Sequence, residues 1–140
     1  MMHHPDDARG VPVRGEVLAL ILWAGMIFGF SSVPELETGL RQDFFLRKVA
    51  HAVEFGVFAF LCLQVIQRKT SAPRQAVLAA VVLTALYALS DEFHQAFVPG
   101  REGALRDVLV DTVGGVVGIP VLRWIAQKFP SFSASTGRAR

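Results

Sequence analysis

Four long apolar stretches account for most of this chain, and they constrain its fold more than any single motif. They run from about Val17 to Val33, Val49 to Ile66, Ala76 to Phe97 and Val108 to Ile125. A bilayer core needs roughly 20 residues of apolar helix, with about 17 as the lower end. Each stretch reaches that range only when its polar end is counted. Of the 140 residues, 52% are hydrophobic and 19% charged, where a soluble domain carries about 25% charged. Four such stretches leave too few polar residues to cover a soluble surface. The fold expected is all-α, an integral membrane bundle of four transmembrane helices. Its boundaries are a tail at 1–14, a membrane domain at 15–126 and a second tail at 127–140.

The first stretch has an alternative reading. Basic residues precede it, and Gly29 and Ser31 offer small residues before a cleavage point, as in a signal peptide. Against this, Gly25 and Gly29 stand at the small-xxx-small spacing that lets helices approach closely. Retention as a span is therefore expected. Cys62 lies inside an apolar stretch and is the single cysteine, which excludes an intramolecular disulfide or a thiolate metal cluster and suits a small buried hydrophobe. A net charge of +2, with scattered basic residues, does not suit nucleic-acid binding.

Loop charges set an expected orientation. With the N-terminus cytoplasmic, Arg9, Arg14, Arg68, Lys69, Arg74, Arg123, Lys128, Arg138 and Arg140 lie inside, against Arg41, Arg47, Lys48, Arg101 and Arg106 outside, a nine-to-five bias. That satisfies the positive-inside rule and puts both termini in the cytoplasm. The polar ends of the second, third and fourth stretches then share the outer face.

Those polar ends carry the chemistry. Ser90-Asp91-Glu92-Phe93-His94-Gln95 directly continues the third stretch. Ionisable groups at the end of an apolar helix are costly unless they face a protein interior, an aqueous pocket or the headgroups. Asp91 and Gln95 are four apart, as are Ser90 and His94, so each pair shares a helical face. Asp91 and Glu92 point about 100° apart, so one faces the site while the other is free to pair with Arg101 or Lys48. Lys48, His51 and Glu54 recur every three residues upstream and share a slowly drifting face. The plain alternative for them is a helix-end cation and a histidine neutralising one carboxylate. Pro99-Gly100 ends the third helix and holds Arg101 nearby. Arginine offers a fork for carboxylate or phosphate; its structural alternative is a salt bridge to Asp91, Glu92 or Asp107. On the fourth stretch, Asp107, Asp111, Gly114 and Gly118 form one stripe. Gly114 and Gly118 suit close packing, Asp107 is expected to cap the helix, and Asp111 to enter a buried network.

The pattern Lys48-x-x-His51-x-x-Glu54, then Ser90-Asp91-Glu92-Phe93-His94-Gln95, then Pro99-Gly100-Arg101, Asp107 and Gly114-Gly115, resembles the VanZ-like family over roughly Phe30 to Gly118. The resemblance implies a small multi-helix membrane protein of the bacterial cytoplasmic membrane. The family is named after a member associated with teicoplanin resistance, so the resemblance also implies a link to the cell envelope. Two positions depart from the common pattern: Phe55 stands where many members carry tyrosine, and Asp111 where asparagine is common.

Three function classes stay open on the residues. In the first, an enzyme acts on a lipid-linked or envelope substrate at the outer face. His51 or His94 would be its general base, with Glu54, Asp91 or Glu92 as orienting or acidic partner. Lys48 and Arg101 would clamp an anion, and Gln95 and Asp111 would complete substrate binding. A divalent metal on His and carboxylates is compatible, although no HExxH-type spacing appears; no particular cofactor is indicated. In the second class, a non-catalytic envelope protein binds lipid, precursor or glycopeptide, or shields a surface target. The third is a proton or ion pathway, and the apolar runs Val77 to Leu83 and Gly114 to Val121 count against it. Membrane lipids are the expected partners in every case. Oligomeric state is not fixed by the sequence.

Overall fold

The computed structural model describes residues 14–34, 41–101 and 103–129, the side chains of 41–44 excepted. The expected tails thus fall largely outside the described residues. Four helices follow one another: α1 (Arg14–Ser31), α2 (Arg41–Gln67), α3 (Pro73–Gln95) and α4 (Leu105–Lys128). Each contains a segment long and apolar enough to cross a membrane, and no strand occurs among the described residues.

Local chemistry explains the helix limits. Helix α2 ends at Gln67, and Lys69 N–H closes a turn on Ile66 O at 2.9 Å. Thr70 Oγ1 then accepts from Ala72 N–H at 3.2 Å, and Pro73 opens α3. Proline suits a first helical position because its missing N–H has no intrahelical partner there. Helix α3 stops at Gln95, two residues short of the apolar limit at Phe97. Tightening bonds from Phe97 N to His94 O and Val98 N to Gln95 O lead into Gly100, whose φ of 78° suits glycine. Helix α2 starts eight residues before the apolar limit at Val49, because residues 41–48, a mixture of charged residues with Phe44, Phe45 and Leu46, continue the helix.

Packing is inverted relative to a soluble bundle. The interior holds small side chains, Ala59, Ala76, Ala80, Ala88 and Thr84, around Phe55, Leu63, Ile27 and Ile119. Leu18, Ile21 and Leu22 on α1, Leu78 and Leu86 on α3, and Leu109 and Val113 on α4 face outward. Lipid is as apolar as leucine, so hydrophobicity does not sort residues between core and bilayer. Close packing does, and it favours small residues at helix contacts.

Helices α2 and α4 run in the same direction and meet backbone to backbone. A Cβ on Gly114 would stand 2.7 Å from Ala52 Cα, and one on Gly118 would stand 2.8 Å from Gly56 C. Gly115 faces α3 instead, where a Cβ would lie 2.8 Å from Thr84 Cγ2. Thr84 Oγ1 donates to Ala80 O at 2.8 Å, which satisfies a hydroxyl buried at membrane depth. The close-packing role expected of Gly114 and Gly118 is present.

The same expectation does not hold for α1. A Cβ on Gly25 or Gly29 would meet nothing within 4 Å, and both glycines are exposed. Their spacing is the same, yet they face away from the other described helices. Helix α1 is attached by Ile27, which is buried in the core, and by polar side chains. Trp23 Nε1 donates to Glu54 O at 2.9 Å, and Tyr87 Oη donates to Ala24 O at 2.6 Å.

Candidate functional site

The alternation of helix direction brings four ends to one level: the C-terminal ends of α1 and α3 and the N-terminal halves of α2 and α4. The ionisable site candidates Lys48, His51, Glu54, Asp91, Glu92, His94, Arg101, Asp107 and Asp111 lie at that end. At the opposite end, Arg68 pairs with Glu16 at 2.8 Å, and Lys128 Nζ lies 5.0 Å from the Trp124 ring centroid.

On α2 and α4 the polar groups continue the glycine seam. Lys48 Nζ pairs with Asp107, one turn along His51 Nδ1 lies 3.7 Å from Asp111 Oδ2, and beside His51 the Ala52 backbone meets Gly114. The expectation that Asp107 caps α4 is therefore corrected. The helix starts at Leu105, its N-cap residue is Ala104, and Asp107 sits in the first turn with its carboxylate turned to Lys48. Its charge still favours the helix N-terminus, but it bonds across helices rather than to the cap. Asp111 is 1% exposed, as a buried network requires, and its Oδ2 has no hydrogen-bond partner among the described residues.

The α3 end carries a second network. Asp91 Oδ2 accepts from Gln95 Nε2 at 2.7 Å and from Ser31 Oγ at 2.9 Å, while its Oδ1 is buried without a partner. Gln95 Oε1 in turn accepts from Arg101 Nη1 at 2.9 Å. The Gln95 amide thus stands between the carboxylate and the guanidinium, so Arg101 reaches Asp91 only through it. Arg101 Nε donates to Val33 O at 3.2 Å and Nη2 to Phe30 O at 3.4 Å. The carboxylate salt bridge weighed for Arg101 does not form with any described residue. Neutral acceptors hold it, and of its five N–H donors two have no acceptor among the described residues.

Asp91 and Glu92 divide as their 100° offset requires. Asp91 turns inward, whereas Glu92 Oε1 accepts from Ala104 N–H at the start of α4. Ala104 has no side-chain acceptor of its own for the α4 N-terminus, so a carboxylate from α3 supplies one. This contact also folds the 96–104 connection back onto α3: a Cβ on Gly103 would stand 3.1 Å from both Glu92 O and Ala96 Cβ. Glu92 thereby fixes the segment that carries Arg101.

Glu54 lies within electrostatic reach of His51, Asp91, Asp111 and Arg101 and is half-buried. His94 Nε2 lies 2.9 Å from Ser32 Oγ, and its ring stacks on Phe28 with centroids 4.3 Å apart. Ser90 does not pair with His94; its hydroxyl bonds Tyr87 O at 2.8 Å.

Sequence reasoning missed what α1 contributes. Ser31 and Ser32, together with the carbonyls of Phe30 and Val33, bind Asp91, His94 and Arg101. The available signal was two adjacent hydroxyls at the end of an apolar span, and Ser31 was weighed only as part of a cleavage site.

No three His, Cys, Asp or Glu among the described residues are grouped to hold a metal ion.

Fold and polar end together define a polytopic helical membrane protein with a cross-linked ionisable network at one membrane level. The VanZ/LLP1 family model matches residues 16–126, and the chain belongs to that family. Neither a curated protein nor a solved structure matches it.

Proposed function

We propose that this protein binds an anionic lipid or lipid-linked envelope precursor at the polar end of its bundle, on the outer face of a bacterial cytoplasmic membrane. The observation that carries the reading is Arg101. It is a half-buried cation held by Gln95 Oε1 and two backbone carbonyls, with donors to spare. A guanidinium anchored by neutral acceptors keeps its full charge for an incoming phosphate or carboxylate. Three neighbouring carboxylates are engaged elsewhere, Asp91 by Ser31 and Gln95, Glu92 by Ala104 N–H and Asp107 by Lys48, while Glu54 lies within electrostatic reach of Arg101 and Asp111 lies 3.7 Å from His51. In this reading His51 and Glu54 face the bound group as acid–base partners, and Lys48 borders it. A link to teicoplanin-type resistance would follow from capture or modification of such a precursor.

The ion-pathway alternative is less well supported. Between Thr84 and the basic end, the buried interior consists of Cys62, Leu63, Ala76, Ala80 and Ile119, with no acid or histidine. A relay requires such groups through the membrane depth.

Two measurements test the proposal. Purified protein in phosphatidylcholine nanodiscs is expected to bind phosphatidylglycerol, with Arg101→Ala losing that binding while the amount of folded protein is unchanged. Parallel loss of folded protein in Arg101→Ala and His51→Ala would assign the cluster a structural role only. For orientation, single cysteines at Lys69 and Arg106 should label from opposite sides, the second from outside; the reverse labelling overturns the outer-face placement.

A further inference from the structure

The Ser32–His94 pair joins the end of α1 to α3, and its geometry is that of a nucleophile beside a base. Ser32 Oγ and His94 Nε2 are 2.9 Å apart, within the range a general base needs to take a proton directly. The imidazole is oriented from a second direction by the Phe28 stack. Ser32 also donates to Phe28 O at 2.7 Å. Its single hydrogen serves either that carbonyl or, with the ring in its Nδ1–H form, Nε2. The hydroxyl is half-buried, at the first residue beyond α1. Arg101 is bonded to the carbonyls of Phe30 and Val33, which bracket Ser32 in the chain. A nucleophile, a base and a cation with spare donors therefore meet at one place, drawn from α1, α3 and the α3–α4 connection.

The surroundings indicate the substrate. Ser32 follows the last residue of the α1 span, and a span as long as the hydrocarbon core ends near the headgroup boundary, where lipid ester carbonyls reside. Phe30 and Val33 are exposed beside it in the chain, and Phe93 and Phe97, exposed at the end of α3 that carries His94, meet edge to face with centroids 5.1 Å apart. Apolar side chains there suit acyl chains, while Arg101 suits the anionic headgroup.

We infer that Ser32 is a catalytic nucleophile, with His94 as its general base, acting on a carboxylic ester of an anionic lipid. The inference rests on the anionic-lipid reading above for its substrate class. In the first step His94 Nε2 takes the Ser32 proton as Oγ bonds to the ester carbonyl carbon, and the carbonyl π pair moves onto oxygen near Arg101. That pair returns, the bond from carbonyl carbon to the lipid alcohol oxygen breaks, and the proton on Nε2 passes to that oxygen. Water then attacks the acyl-serine, losing its proton to Nε2. The carboxylic acid departs, and Ser32 recovers the proton from Nε2. Ester and water are consumed; alcohol and acid are formed.

An alkyl fluorophosphonate tests this, because it reports an activated serine without needing an anionic headgroup. In protein reconstituted in phosphatidylcholine nanodiscs, mass spectrometry should find the label on Ser32. It should be absent in Ser32→Ala, unchanged in Ser90→Ala, and about a hundredfold slower in His94→Asn, in line with loss of a general base. No label on Ser32, or an equal rate in folded His94→Asn, overturns the inference. If His94→Asn does not fold, the comparison passes to His94→Gln. Phosphatidylglycerol binding measured on the same samples separates the two readings. Binding without label defeats the nucleophile alone, whereas label without binding defeats the anionic-lipid reading and leaves the nucleophile standing.

Discussion

Helices α2 and α4 meet where a Cβ on Gly114 or Gly118 would strike the Ala52 or Gly56 backbone, whereas α1 reaches the bundle through one buried side chain, Ile27, and through an indole, a phenol and two hydroxyls. Both arrangements contain a pair of glycines four residues apart. In α4 the pair fits against another backbone; in α1 the pair faces open space. Glycine spacing permits close approach, but a partner with a matching small surface is also required, and here α2 supplies it to α4. The consequence reaches the site. The seam fixes Lys48 against Asp107 and His51 beside Asp111 rigidly, while Ser31 and Ser32 arrive on the more weakly attached helix.

The contrast can be broken at its strong side first. Gly118→Leu forces a side chain into the Gly56 backbone, and overpacking of this kind costs about 3 kcal/mol or more when backbone must move. Folded protein recovered from membranes should fall severely; an unchanged melting temperature in detergent would show that the seam is not tight. Next in size is Glu92→Ala, which removes the acceptor of Ala104 N–H. A hydrogen bond to a charged group contributes about 1.5–3 kcal/mol, and the loss should appear in the melt. Arg101 should also lose affinity for phosphatidylglycerol, because the segment carrying it is released. Normal affinity would mean that the 96–104 connection keeps its shape without Glu92.

At the α1 side the effects should be smaller. Trp23→Phe and Tyr87→Phe each delete one side-chain bond to a backbone carbonyl, worth about 0.5–1.5 kcal/mol apiece. Combined, they should increase thiol labelling of a cysteine placed at Ser31 more than they lower the melting temperature. Equal changes in both would mean that α1 and the other three helices unfold as one unit. The smallest effect belongs to Gly25→Ala and Gly29→Ala, which meet nothing within 4 Å. Stability should stay level or rise by about 0.5–1 kcal/mol from the lost backbone freedom of glycine. A marked fall would require that these glycines contact something outside this chain.

Much of the architecture was legible in the order of residues. Four apolar stretches give four spanning helices because helix is the only open-chain structure that satisfies its backbone in lipid. The i,i+4 spacing of Asp91 and Gln95 became a 2.7 Å hydrogen bond, and the stripe Asp107, Asp111, Gly114, Gly118 became the α4 face of the seam. These are relations within one helix, where 3.6 residues per turn fixes the neighbours before any tertiary contact exists. Relations between helices were not fixed in this way. Asp107 read as a cap and turned out to face Lys48; Arg101 read as a candidate for a carboxylate and found carbonyls and an amide; Ser31 and Ser32 gained partners 60 or more residues away. Charge and spacing say which groups need a partner, but several partners of similar chemistry stand at the same membrane level. Which one is met depends on helix rotation, and that is set by where small residues allow backbones to touch, a property of two surfaces together that neither segment's sequence contains alone.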